Sequence, residues 1–360
     1  MKKKHLLYFM FPLFFSVQFS AESCTSLAIL DTNNNLYHGR TLELTTDLPS
    51  WITYYPENTV FQKKTPDGEN GVRYQSHFKI LAISTKVYDD GDIYNIFQGM
   101  NSGGLSFSAN MINSAELDDL KPNEYKDAIP VTAIGEWALS QFSSVSEVKA
   151  SVEKTKFRSP VIKGFGNIKA PFHYAFYDKN GGSIVIEAVD GKLKVYENPT
   201  RVMTNGPGFP WHLQNLNNYT QLTNVDRSHA TLGNIPVSQP DSGIAVSALP
   251  SSDTSVGRFI RGVFYTTYAQ KPANSQLAMN TLAHIMNRFD RIKDSSVDEK
   301  NGQGDAKPSQ TEYTVWTSLS DLTQGKMLVK GYTDINYTEF SFDKIKDKKT
   351  PFFERINVEQ

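Results

Sequence analysis

A chain of 360 residues with 39% hydrophobic and 12% aromatic side chains has enough apolar surface for one large core or two smaller ones, which excludes wholesale disorder. Its 37 Lys+Arg and 38 Asp+Glu nearly cancel, so no broad basic field exists to hold a phosphate backbone and no nucleic-acid partner is expected. The single cysteine excludes an intrachain disulfide and a multi-cysteine zinc site, and leaves the chemistry of one thiol as the question.

At the N-terminus, Lys2, Lys3 and Lys4 precede an apolar run from Leu6 to Phe19, which Ser20-Ala21-Glu22-Ser23 closes. This pattern predicts a cleaved secretory signal peptide over residues 1–23. The run is shorter than the ~20 residues that a bilayer crossing needs, and Pro12 interrupts it, so no stable membrane anchor is expected. Signal peptidase requires small residues at the third and first positions before its cut. Ala21 and Ser23 meet that rule if the cut precedes Cys24, whereas a cut after Ala21 puts bulky Phe19 in the third position. The mature chain is therefore expected to run from 24 to 360 as one domain, periplasmic or secreted. Losing three Lys and one Glu takes its formal charge from -1 to -3. Bacterial lipoproteins also mature at a cysteine, but that route wants a small uncharged residue where Glu22 stands.

A cysteine at position one of a mature chain has its own α-amine within reach of its thiol. That amine titrates at roughly 7.7 to 8.0, so it can take the thiol proton and later return one to a leaving amine. No catalytic histidine is then required. Elsewhere in a chain, a lone cysteine would read as a small hydrophobe at the start of a strand.

The segment Cys24 to Asp31 reads as a buried strand, Asn33-Asn34-Asn35 as a turn, and Leu36 to Leu42 as a returning strand. Such a hairpin sets Arg40 beside the thiol, where a guanidinium favours the thiolate. Glu43 is placed to orient the amine or Arg40, although the two also make an ordinary ion pair. Residues Thr132–Phe142 and Val145–Lys154 have helical patterns. Strands are expected over Pro171–Asp178, Ser183–Val189 and Lys192–Glu197, because Asn180-Gly181 and Asp190-Gly191 are strong hairpin turns. Thr204-Asn205-Gly206-Pro207-Gly208 is a turn cluster. Asn205 there either fills an Asx turn or offers a neutral amide donor of the kind that stabilises an oxyanion. His212, shortly after it, is expected on a helix surface. Val256, Phe259, Ile260, Val263 and Phe264 stripe an amphipathic helix, with Arg258 off that face, which suits either solvent or a site. Ala278, Leu282, Ile285, Met286 and Phe289 stripe a second. Asp294–Ser309 is polar and reads as a loop, and Thr311–Leu319, Lys326–Lys330 and Tyr337–Phe342 read as closing strands. Strands, paired helices and strands again predict an α+β sandwich of two sheets with helices outside.

Five ordered blocks now bring a resemblance into view: Cys24 itself, Gly39-Arg40-Thr41-Leu42-Glu43, Gly99 to Leu105, Met203 to Tyr219, and Gly257 to Arg261. Together they resemble the choloylglycine hydrolases, which comprise bile salt hydrolases and penicillin V acylases among the N-terminal-nucleophile hydrolases. The likeness spans nearly the whole expected mature chain, and Thr204-Asn205-x-Pro207…Asn215-Leu216-x-x-Tyr219 is its most diagnostic block. The resemblance implies a four-layer αββα fold, no cofactor and a homotetramer. It also implies that Cys24 is the nucleophile, that Arg40 holds the thiolate and the amine environment, that Asn205 donates to the oxyanion, and that Arg258 completes the polar cluster. Glu43 stands where many members have Asp, so the implied contact to the free amine passes through one more methylene. The second oxyanion donor falls on Asn110 or Met111; strand alternation turns one of them inward, and the Met111 backbone N–H is preferred.

The expected activity is hydrolysis of a linear amide in a small amphipathic substrate: a conjugated bile salt, penicillin V, or an N-acyl homoserine lactone. Each joins a bulky apolar acyl group to a small polar amine, and Trp51, Tyr54, Phe107 and Trp211 are candidate lining for an apolar acyl pocket. The competing expectation is a non-catalytic, lipid-anchored protein that binds amphiphiles and whose acylated Cys24 has no free amine. No metal site is expected, because the histidines lack ligand spacings. Ser102-Gly103-Gly104 precedes a strand pattern rather than a helix, so no phosphate cradle is expected either.

Overall fold

The computed structural model describes residues 23–45, 48–85, 95–162, 168–298 and 310–356. The expected signal peptide, apart from Ser23, and most of the expected 294–309 loop lie outside the described residues. Strand β1 (Cys24–Leu30) turns at Asp31, whose carboxylate accepts from the backbone N–H of Asn33 at 2.8 Å and of Asn35 at 2.9 Å. Asn34 takes the left-handed φ of 63° that this turn requires, which Asn tolerates better than most residues. The chain returns antiparallel as β2 (Leu36–Leu44).

Two antiparallel sheets follow from these pairings. The first has six strands in the order Val202–Met203, β1, β2, Tyr313–Asp321, Lys326–Gly331 and Thr338–Ser341. The second has eight, in the order Lys192–Glu197, Ser183–Val189, Phe172–Asp178, Leu105–Met111, Asn95–Asn101, Ile80–Thr85, Ser50–Tyr55 and Phe352–Arg355.

Helices α1 (Ile134–Gln141) and α2 (Val145–Val152) cover the eight-stranded sheet. Beyond the short α3 (Phe209–Asn215), helices α4 (Ser255–Tyr268) and α5 (Ser275–Met286) cover the six-stranded one. The result is the expected αββα sandwich. Its two cores explain why many strands read as unbroken apolar runs rather than alternating ones. In Ile80–Thr85, Leu81 and Ile83 face the inter-sheet core while Ile80 and Ala82 pack under α1 and α2. Close helix–sheet approach depends on two glycines. A Cβ on Gly39 would lie 2.8 Å from the Met286 side chain of α5, and one on Gly135 in α1 would lie 2.3 Å from the Phe107 ring.

Local signals set most boundaries. Helix α2 begins at a reciprocal cap between Ser144 and Glu147, and the Asp190-Gly191 turn takes positive φ at both residues, which a tight hairpin of matching twist demands. The expected helix from Thr132 begins two residues later, after a single 3-10 turn at Val131–Ala133. Among the described residues no helix is long and apolar enough to cross a membrane.

Candidate active site

Cys24 is the first residue of β1 and only 2% exposed. Its backbone N donates to Asn205 Oδ1 at 2.8 Å, and its carbonyl accepts from Arg258 Nη1 at 2.5 Å. Pairing within the hairpin sets Cys24 opposite Leu42 and Ser26 opposite Arg40, so the two-residue period of the strands brings Arg40 to the thiol side. Arg40 Nη2 lies 3.6 Å from Cys24 Sγ, and the same guanidinium donates to the carbonyls of Phe97 and Ala109 on the facing sheet. It also sits 5.2 Å from the Trp316 ring centroid. A fully buried cation tied to two backbone carbonyls and an aromatic face cannot swing away from the sulfur.

Glu43 owes its position to a β-bulge. Leu42 pairs with Trp316 but Glu43 pairs with Thr314, so Val315 is the extra residue and the ladder is re-aimed at that point. The Glu43 carboxylate is fully buried, accepts from Thr314 Oγ1 at 3.3 Å, and has no partner for Oε2 among the described residues. Burial pushes its carboxyl up to about 7, against the opposing pull of the Arg258 guanidinium. Its backbone N–H donates to the carbonyl of Ser23, the residue before the cysteine, at 2.9 Å.

Asn205, from the turn after Val202–Met203, and Arg258, from α4, meet over β1. Arg258 Nη2 donates to Asn205 Oδ1 at 2.8 Å, Nη1 also reaches Thr25 Oγ1 at 2.9 Å, and Nε donates to the Asp253 carbonyl at 2.9 Å. Arg258 is 1% exposed, so of the two surroundings its helix position allowed, the site is the one it occupies. Its pKa is lowered by burial, opposed by Glu43.

The Asn205 turn is not a self-contained Asx turn. Asn205 N donates to Ser255 Oγ at 3.0 Å and Nδ2 donates to the Met111 carbonyl at 2.9 Å. Met111 therefore presents its carbonyl, not its N–H, to Asn205. Asn110 is the residue whose side chain turns inward, with Nδ2 2.7 Å from the Thr204 carbonyl and 3.4 Å from that of Cys24. Both residues thus stand at the site: Asn110 turns its side chain toward the Thr204 and Cys24 carbonyls, and Met111 lines the cavity.

A cavity of about 930 Å³ opens beside Cys24, lined by Ser23, Asn205, Arg258, Met111, Ile112 and Pro207 among others. The four aromatics expected to line an acyl pocket are not among its lining residues. Tyr54 and Phe107 are core, buried at 0% and 1%; Phe107 packs between α1 and the rings of Tyr174 and Phe176. Trp51 lies on a strand beside Arg355, and Trp211 projects from α3 at 43% exposure. Aromatic residues fill cores because they bury most area per side chain, and a one-dimensional pattern does not separate that use from pocket lining.

Sequence reasoning missed a supporting layer. His212 is buried, not on the helix surface, and Nε2 donates to the Asn205 carbonyl at 3.0 Å. Burial lowers its pKa to about 4. His173 bridges the Thr204 carbonyl at 3.0 Å and Glu187 at 2.9 Å, and Glu187 in turn accepts from the Phe209 N–H at 2.9 Å at the start of α3. Arg291 and Glu312, paired with each other and with Ser23 Oγ, also face the cavity. His212 lies within the Met203–Tyr219 block, and the others carry no local motif that would have found them.

Residues 24–347 match the family described as linear amide C–N hydrolases, choloylglycine hydrolase family. A bile salt hydrolase/transferase of Lactiplantibacillus plantarum is 29% identical over 326 residues, covering 89% of this chain and 92% of that protein. A variant of the conjugated bile acid hydrolase from Clostridium perfringens superimposes with a TM-score of 0.77 at 24% identity, over 93% of this chain and 97% of that one. Penicillin V acylase from Agrobacterium tumefaciens gives 0.69 at 19% identity, over 91% and 88%. These two structures carry the same fold.

Proposed function

Since the chain belongs to the choloylglycine hydrolase family and hydrolyses a linear amide C–N bond, we propose that export removes residues 1–23 and that the freed N-terminal Cys24 is its nucleophile. The observation that carries this is the position of Cys24 N, 2.8 Å from Asn205 Oδ1 and next to the cavity. While Ser23 is attached that nitrogen is a peptide N–H with no basic lone pair; after cleavage it is an amine.

The α-amine takes the proton of Sγ as the sulfur attacks the substrate carbonyl carbon. Arg40, 3.6 Å away, stabilises the negative sulfur. Asn205 Nδ2 and a donor from the Asn110–Met111 end of its strand hold the tetrahedral oxyanion. The C–N bond breaks as the α-ammonium gives its proton to the departing nitrogen, leaving a thioester on Cys24. Water, deprotonated by the same amine, adds to the thioester, and the carboxylic acid leaves as the proton returns to sulfur. Arg258 holds the Cys24 carbonyl and Asn205 in register, and the buried Glu43 carboxylate is the group that the family resemblance pairs with the amine.

For the substrate, the similarity to bile salt hydrolases supports a conjugated bile salt, whose apolar acyl group would rest against Met111, Ile112 and Pro207. Penicillin V and N-acyl homoserine lactones are the other amides of this shape. The homotetramer implied by the family is supported by the hairpin His229–Leu232/Ile235–Ser238, which projects with Leu232 and Ile235 about two-thirds exposed (65% and 66%). The test is the intact mass and N-terminal sequence of the exported protein, followed by hydrolysis of the three amide classes. An unmodified start at Cys24 and cleavage of at least one class are expected. A lipid on Cys24, or full activity in Cys24→Ala, would refute the mechanism.

A further inference from the structure

Asn110, His173 and Glu187 stand side by side on three neighbouring strands of the eight-stranded sheet, Leu105–Met111, Phe172–Asp178 and Ser183–Val189. Asn110 pairs directly with His173, and the pairing of Tyr174 with Ile186 sets Glu187 beside His173 on the next strand. Cross-strand neighbours share a face, and all three side chains meet the segment 204–209, which carries Asn205. His173 Nε2 lies 3.0 Å from the Thr204 carbonyl, and Asn110 Nδ2 lies 2.7 Å from it. Glu187 Oε1 lies 2.9 Å from His173 Nδ1 and accepts from the Phe209 N–H, also at 2.9 Å. His173 and Glu187 are each 1% exposed, and neither is among the residues that line the cavity.

We propose that His173 is a positioning residue for the oxyanion donor Asn205, that it acts through the Thr204 carbonyl, and that Glu187 fixes the direction of its ring. The proposal rests on the amidase reading above. A carbonyl only accepts, so His173 Nε2 carries the hydrogen that it donates to Thr204. The contact between Nδ1 and Glu187 then holds one further proton, on the ring as imidazolium or on the carboxyl as a neutral acid, and the pair is neutral overall in both forms. A ring turned over by half a revolution would set carbon atoms against both partners, so Glu187 leaves one orientation of the imidazole.

The bond to Thr204 reaches Asn205 because the peptide between them is planar. His173 and Asn110 hold its oxygen, while its N–H, that of Asn205, donates to Ser255 Oγ at 3.0 Å. With both edges of the plane tied, the direction in which the Asn205 side chain leaves the backbone is set. The two ties at the oxygen come from the eight-stranded sheet, whereas Val202–Met203, just before the segment, is an edge of the six-stranded one. His173 therefore sets how far Asn205 stands from the eight-stranded sheet, beside Cys24. An oxyanion donor acts by being in place before charge develops, and a misplacement of about 1 Å costs on the order of 100-fold in rate.

Two amide side chains of different length separate the two bonds of the ring. His173→Gln keeps a donor for Thr204 and gives up the contact to Glu187. His173→Asn keeps a donor for Glu187 and gives up the one to Thr204. Both are measured beside wild type as exported protein, by thermal unfolding and by initial rates on the best cleaved of the three amide classes. His173→Gln leaves the buried Glu187 carboxyl with the Phe209 N–H alone, so it should unfold at the lower temperature of the two, yet keep its kcat within about fivefold of wild type. His173→Asn should unfold closer to wild type but lose on the order of 10- to 100-fold in kcat, with KM changed by less than about threefold, because the loss falls on the transition state. A residue with only a structural role would show the opposite order, with activity following stability. That order, a loss carried by KM, or a folded His173→Asn with wild-type kcat would overturn the proposal. Should His173→Gln fail to fold, the kcat of His173→Asn decides alone. If wild type cleaves no amide, the amidase reading fails instead, and crystal structures of wild type and His173→Asn read the positioning: a displaced Asn205 amide is expected, and an unmoved one would overturn it.

Discussion

Replacing Asn205 separates its structural work from its chemical work. Its Oδ1 receives Cys24 N and Arg258 Nη2, both at 2.8 Å, while its Nδ2 holds the Met111 carbonyl at 2.9 Å. Asn205→Ala leaves the buried Arg258 guanidinium without one charge-assisted bond, worth about 1.5–3 kcal/mol, and orphans neutral groups at about 1 kcal/mol each. A stability loss on the order of 3–5 kcal/mol is expected, so poor folding alone would explain lost activity. Asn205→Asp keeps an oxygen for Arg258 and for Cys24 N, and its charge is matched by the guanidinium, but it has no N–H for an oxyanion. Thermal unfolding should therefore be much closer to wild type in the Asp variant than in the Ala variant. Its kcat on the preferred amide should fall about 100- to 1,000-fold, as for removal of one oxyanion donor. Calorimetric unfolding together with initial rates decides the matter. An Asp variant that folds and turns over within a few-fold of wild type would refute the oxyanion role.

Other outcomes follow from the same geometry. Cys24→Ala should abolish hydrolysis while substrate still binds, measured by initial rates and calorimetric titration; residual turnover at wild-type rate would point to another nucleophile. Glu43 has a folded-state carboxyl raised from 4.5 to about 7, so in the uncleaved chain its ionisation opposes folding: stability is lost as pH rises from about 4.5 through 7. Glu43→Gln should flatten that decline and stabilise the uncleaved chain near pH 8 by on the order of 3 kcal/mol, read from denaturant melts at several pH values; an unchanged slope would refute the burial argument. Gly135→Ala places a Cβ 2.3 Å from the Phe107 ring and should destabilise by about 1–3 kcal/mol through overpacking, seen as a lower unfolding midpoint with no change in KM.

The sequence reads most clearly where a residue's role depends on its neighbours along the chain. The β1–β2 hairpin, the Asp190-Gly191 turn and the stripes of α4 and α5 are all local, because turn chemistry and the periods of strand and helix act over a few residues. The αββα layering came from recognising ordered motifs, since periodicity alone does not say how many sheets stack. Helix periodicity alone leaves Arg258 as a residue off the apolar face, suited to either solvent or a site, and only the ordered Gly257–Arg261 block assigns it to the polar cluster.

What the amino-acid order determined by itself was a lone cysteine, a turn-rich asparagine block, and the strand and helix patterns that carry them. Apart from Arg40, which the local hairpin carries to the thiol, tertiary structure decided what meets the cysteine. It turned Asn110 inward and Met111's carbonyl toward Asn205, buried His212 beneath that turn, and gave Phe107 and Tyr54 to the cores. It also brought Arg291 and Glu312 to Ser23 from more than 250 positions away (|i−j| of 268 and 289). Contacts at that separation leave no trace in local pattern, because sheet pairing and layer packing set them, and both depend on the whole chain folding at once.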